Sequence, residues 1–113
     1  MKLVNLTPHP VVLCDTEGRP VIIIAPSGII ARCSAERQVV ESCELEDLVV
    51  PVTVVVMGLL EGLPAPADNT LYVASRIACE GAKVLGRTDV VCPDDAVRDQ
   101  GGRIIGVKAL SRV

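Results

Sequence analysis

Val49 to Leu60 reads VVPVTVVVMGLL, twelve residues without a charge, and the nature of this run decides the fold. A membrane helix needs about 20 apolar residues, and Pro51 and Thr53 interrupt this shorter run. Valine, branched at the β-carbon, loses rotamer freedom in a helix and packs well on a pleated surface. The run therefore predicts a buried strand, with Gly58 marking a bulge or a close backbone approach near its end. Upstream, Val39 to Leu45 alternates loosely, Val39, Glu41 and Cys43 against Val40, Ser42 and Glu44. That predicts an edge or half-exposed strand whose acidic side chains discourage edge pairing, with Glu46-Asp47 between the two. Downstream, Gly62-Leu63-Pro64-Ala65-Pro66-Ala67-Asp68-Asn69 neither continues a strand nor starts a helix and reads as a loop.

Further outward the chain repeats this grammar of short β-branched runs between breakers. Lys2 to Asn5 predicts a first strand, and Thr7-Pro8-His9-Pro10 a rigid corner, because each proline fixes φ and extends the residue before it. Val11 to Cys14 and Val21 to Ala25 flank Asp15-Thr16-Glu17-Gly18, which has hairpin chemistry. Ile29 to Cys33 follows the break at Pro26-Ser27-Gly28 and predicts a strand of a third hairpin. Ala74, Ile77, Ala78, Gly81, Ala82 and Leu85 recur at helical spacing. They predict one helix from about Ala74 to Leu85 with a face of small side chains and Gly86 as its left-handed cap. A sheet or a second helix can approach such a face closely. Val90 to Cys92 and Arg103 to Leu110 predict the last strands, separated by Pro93-Asp94-Asp95 and by the turn Asp99-Gln100-Gly101-Gly102.

The whole chain, 113 residues, is the size of one domain, 1–113. With 50% hydrophobic against 22% charged residues and a mean hydropathy of +0.47, it is neither disordered nor a coiled coil. The predicted fold class is mainly β: a small antiparallel barrel or sandwich of about seven to nine strands with one helix. So small a sheet predicts a homo-oligomer, because a large pocket would need a second copy.

A net charge of -3 disfavours duplex nucleic acid as a partner. Phe and Trp are absent and Tyr72 is the only aromatic residue, so platforms for stacking bases or flat cofactors are missing. No cofactor is predicted. Five cysteines (Cys14, Cys33, Cys43, Cys79, Cys92) follow an opening that no signal peptide fits, which predicts plain thiols in the cytoplasm and no membrane partner. Their gaps do not match a zinc site, so no metal is predicted.

His9 is the only histidine and would have to serve any Cys/His or Ser/His/Asp arrangement. The Asp and Glu pairs fall in predicted turns, where solvation explains them; no catalytic residue is assigned. The cations are more informative. Arg32, Arg76, Arg87 and Arg98 each lie beside a loop or cap, with Ser27 and Ser75 as neighbouring hydroxyls. A guanidinium binds phosphate or carboxylate through two parallel hydrogen bonds. The candidate ligand-binding residues are therefore His9, Ser27, Arg32, Ser75, Arg76, Arg87 and Arg98, set against ordinary ion pairs of Arg87 with Asp89 and of Arg98 with Asp95 or Asp99.

The runs NLTPH (5–9), PSGIIAR (26–32), EGLPAP (61–66), LYVAS (71–75), GRTDVVCPD (86–94) and VRDQGGRIIGV (97–107) resemble a family of small uncharacterised bacterial and phage proteins. The resemblance implies one fold over nearly the whole chain and a bacterial, phage or mobile-element origin. It carries no activity; by analogy, such short proteins are more often binders and inhibitors than housekeeping enzymes. The expected function is non-catalytic binding of a small anionic ligand, such as a nucleotide, at a site between subunits. The alternatives are a protein-interaction module docking through a sheet edge or the Gly62–Asn69 loop, and a small enzyme using His9.

Overall fold

A computed structural model describes residues 1–113 as eight strands and one helix. In chain order these are β1 (Lys2–Asn5), β2 (Val11–Cys14), β3 (Pro20–Ile24), β4 (Arg32–Leu45), β5 (Leu48–Glu61), β6 (Thr70–Val73), α1 (Arg76–Val84), β7 (Val90–Arg98) and β8 (Ile104–Ser111). Six strands form one sheet in the order β1-β6-β7-β8-β2-β3, curled into a nearly closed barrel; β4 and β5 form a separate two-stranded ribbon. The mainly-β fold with a single helix is the one the sequence predicts.

The pairing inside the barrel is mixed. β2 with β3 and β7 with β8 are antiparallel, joined at the two turns read from sequence. β1 with β6, β6 with β7, and β2 with β8 are parallel. Parallel neighbours need a crossover, and α1 supplies one between β6 and β7. The run from Leu71 through the helix to Cys92 was thus a strand-helix-strand unit. Its helix starts two residues later than the apolar stripe suggests, because the Ser75 hydroxyl accepts from the Ala78 amide and caps it there. Gly86 takes φ +77 beyond the other end, as predicted. The turn expected at Pro93-Asp94-Asp95 is absent: β7 runs through it, with Asp95 alone at φ 57.

Alternation along β6 and β7 divides the apolar mass into two cores. Val73 and Val91 point to the enclosed side with Val11 and Val107. Tyr72, Val90 and Cys92 point outward under α1, where Ala74, Ala78, Cys79 and Ala82 meet them. At the barrel seam the two edge strands meet through Asn5, which is 1% exposed. Its Nδ2 donates to the carbonyls of His9 (2.8 Å) and Ile24 (3.1 Å), and its Oδ1 accepts from the Thr7 amide (2.9 Å) and hydroxyl (2.7 Å). Every hydrogen-bonding position of the buried amide is used, and the Thr7-Pro8-His9-Pro10 corner is fixed by it.

The long ribbon corrects the sequence reading most. Val49 to Leu60 does form a strand, but it is not buried: Val54, Val55 and Val56 are 45%, 59% and 42% exposed. The Ile29 to Cys33 strand and its hairpin do not form either. β4 begins at Arg32, runs 14 residues and pairs only with β5, through the turn at Glu46-Asp47. The ribbon leaves the body as an arm, so the radius of gyration is 17.5 Å, against about 13 Å for a compact chain of this length. Only its base is packed. A β-carbon on Gly81 of α1 would lie 2.9 Å from Cys33 Sγ and 3.5 Å from Leu60 Cβ, so the small-residue face of the helix is what lets the arm root against it. Gly58 lies at a close approach as predicted, since a β-carbon there would meet Ser34.

Candidate functional site

A groove of about 570 Å³ lies where four elements converge. The corner supplies Leu6, Thr7 and Pro8; the entry to β4 supplies Ile30 to Ser34; the end of β5 and the start of α1 supply Leu59, Glu61, Ser75 and Ile77. Its volume falls within the range of small-molecule sites. The corner and the Ile30–Ala31 segment are held to each other by the Ala31 amide donating to the Leu6 carbonyl (3.0 Å).

Two features make one end of this groove positive. Arg32 is exposed, faces Glu61 across the ladder, and has no carboxylate within 4 Å. Ser75 caps α1, whose first turn contains no acidic residue, so the positive end of the helix dipole is not neutralised by its own side chains. Glu61, the cross-strand partner of Arg32, stands beside it and offers an acceptor. The arrangement can hold an anionic group between Arg32 and the helix start and accept a hydrogen bond from a hydroxyl or amino group of the same molecule.

Of the seven residues the sequence singled out, Arg32 and Ser75 line the groove. Arg76 follows Ser75 in the first helical turn, exposed, with a long contact to Glu80 at 3.7 Å. His9 follows Pro8 on the exposed corner; its carbonyl is engaged by Asn5 and Thr7, and no carboxylate or thiol is hydrogen-bonded to its imidazole. Ser27 bonds the backbone of Ile29 two residues on and stays outside the lining.

Arg87 and Arg98 lie elsewhere. Arg87, beyond the C-terminal end of α1, is committed to Asp89 through Nε and Nη2, both at 2.8 Å, and donates to the Pro64 carbonyl at 2.9 Å. Its guanidinium lies 6.0 Å from the centre of the Tyr72 ring. This is the ion pair that the sequence offered as the alternative. The hydrogen bond from Arg87 holds the Asp89 carboxyl below the usual carboxylate range. Arg98 closes the β7–β8 turn by donating to the Gly102 carbonyl (2.7 Å), with no carboxylate partner. Both arginines stand beside loops because they pin them, so position next to a loop did not distinguish a binding arginine from a structural one.

The sequence reading missed Thr7, Ser34 and Glu61. The pair Arg32 and Glu61 had a signal, since each ends an apolar or alternating run and the two runs pair as one hairpin with Glu46-Asp47 at its turn. Compared with protein-family models, curated proteins and solved structures, the chain matches none.

Proposed function

We propose that the chain is a non-catalytic binding protein that works as a homo-oligomer and takes a small anionic ligand, up to the size of a nucleotide, in the groove beside the arm. The observation that carries this reading is Arg32, a guanidinium without an ion-pair contact in the groove, next to a capped helix start that has no acidic side chain in its first turn. Arginine forks and helix starts both favour phosphate and carboxylate groups. Glu61 beside Arg32 favours a ligand that also carries hydroxyl or amino donors, as nucleotides do. Pro8, Ile30 and Ile77 give the remainder of the ligand apolar contact without a stacking ring.

A thermal-shift series with nucleotides, phosphorylated sugars and inorganic phosphate tests the reading, since a ligand bound only by the native state raises the melting temperature by mass action. At least one of these anions is expected to raise it in the wild type, with the shift abolished in Arg32→Ala. An anion effect that is unchanged in Arg32→Ala, or no effect from any anion, would overturn it.

A further inference from the structure

We infer that the arm is the surface on which two copies of this chain meet, and that they meet through one of its two faces, stacked head to tail. This takes up the homo-oligomer half of the reading above and names its interface. It does not depend on the ligand. The chain exposes 7834 Å², whereas a compact monomer of this mass exposes about 6,000 Å². The excess is about 1,800 Å². The arm is the main source of that excess. Two 14-residue strands make a ribbon about 46 Å long and about 10 Å wide, so each face offers about 450 Å², below the roughly 800 Å² that a partner hides in an interface of standard size, which makes a dimer through one face a weak, reversible one. A hairpin of two strands is marginal in water without a cover.

The register separates the two faces, since directly opposed residues point the same way. One face carries Val39, Val49 and Val55, which are 66%, 58% and 59% exposed. The other carries Val52, Val54 and Val56, at 38%, 45% and 42%, with Leu45 and Leu48 at its tip at 65% and 62%. The charges separate with them. On the first face Arg37 stands opposite Val55 near the base and Glu44 opposite Val49 near the tip, about 20 Å apart along the strand. Arg37 has no carboxylate partner in its own chain.

Two such faces stacked antiparallel bring each Arg37 to Glu44 of a second copy, twice over, by a single two-fold axis. Parallel stacking would set like charge on like. The other face carries Glu36 and Glu41 along its length, and its one cation, Arg32, stands at the base opposite Glu61, so the stretch beyond the base sets acid on acid in either direction. In the antiparallel register the tip of one arm arrives at Met57 of a second copy, where the exposed Val84 and Leu85 of α1 line a shallow groove with Met57. A lipid surface fits less well, because each face bears ionised side chains along its length.

Sedimentation and light scattering of the full chain across the micromolar range test this. The wild type is expected to dimerise reversibly and to weaken in salt. Val55→Asp should abolish the dimer while Val54→Asp, on the other face, leaves it in place. Arg37→Glu and Glu44→Arg should each weaken association about tenfold or more, and the double variant carrying both should regain most of it. These side chains are exposed in the single chain, so the variants should keep the wild-type circular dichroism. A monomer at every concentration, equal effects of Val54→Asp and Val55→Asp, or a double variant no better than the singles would overturn the inference. So would a monomer that floats with vesicles of phosphatidylcholine and phosphatidylglycerol, which would assign the arm to lipid. A monomer whose melting temperature still responds to anions through Arg32 would remove this interface and leave the groove reading intact.

Discussion

The barrel and the arm are built from the same residue and differ in what surrounds it. Val73 and Val91 in the barrel are 0% and 3% exposed, while Val54 and Val55 in the arm are 45% and 59% exposed. Each barrel valine has a paired strand on one or both sides and a second layer over it: the enclosed core on one face, the helix on the other. Each arm valine has one neighbouring strand and no second layer. Hydrophobic stabilisation follows the area removed from water, so in the single chain valine stabilises the barrel and contributes little to the arm. Composition and β-propensity are equal in the two regions; topology alone separates them.

The sharpest way to break the contrast is at the seam that closes the barrel. Asn5→Leu removes four hydrogen bonds and takes the Asn5 donor from the Ile24 carbonyl, while the Thr7 hydroxyl can still serve that of His9, so chemical denaturation should show a loss of about 3 kcal/mol. No arm substitution should approach this. Next comes the same truncation made in both regions. Val91→Ala should cost about 2 kcal/mol, while Val54→Ala in dilute solution should cost about 0.5 kcal/mol or less. Equal losses would mean that the arm belongs to the cooperative core.

A smaller effect depends on pH. Because Arg87 lowers the native pKa of Asp89, the pair stabilises the fold fully above the unfolded carboxylate value of about 4 and loses that contribution as pH falls through the lower native value. Asp89→Asn should therefore cost about 1 kcal/mol at neutral pH, with the difference from wild type closing in acid. The last contrast is chemical. Burial pushes the Cys79 thiol up to about 12, with Cys92 beside it adding to the shift, whereas Cys43 lies exposed on the arm. Only thiolate reacts, so an alkylating reagent at pH 8 should label Cys43 quickly and leave Cys79 unlabelled until the chain unfolds.

The sequence made the local elements legible for reasons these regions illustrate. Asp15 to Gly18 and Asp99 to Gly102 announce their turns because the chemistry that makes a turn is local, and Gly86 announces the helix end in the same way. Asn5 could not be read. Its four partners lie at Thr7, His9 and Ile24, and the one that closes the barrel is 19 residues away. The parallel pairing around α1 was within reach, since a short apolar run, a helix and another short run spell a crossover. The exposure of the arm was not, because an uncharged run of valine reads the same in a central strand and in a ribbon awaiting a cover. Among the arginines, Arg87 had its partner two residues away and was legible as an ion pair. Arg32 needed the corner and the helix start to be brought beside it before it could be read as part of a groove.

Amide hydrogen exchange, followed residue by residue as protein concentration is raised, tests the division of the molecule most directly. In dilute solution the amides of Val52 to Val56 that are bonded across the ribbon should exchange orders of magnitude faster than those of Val73, Val91 and Val107, which should open only with global unfolding. Raising the concentration should slow the arm and leave the barrel unchanged. Arm amides as protected as the barrel's at the lowest concentration, or indifferent to concentration throughout, would contradict the account.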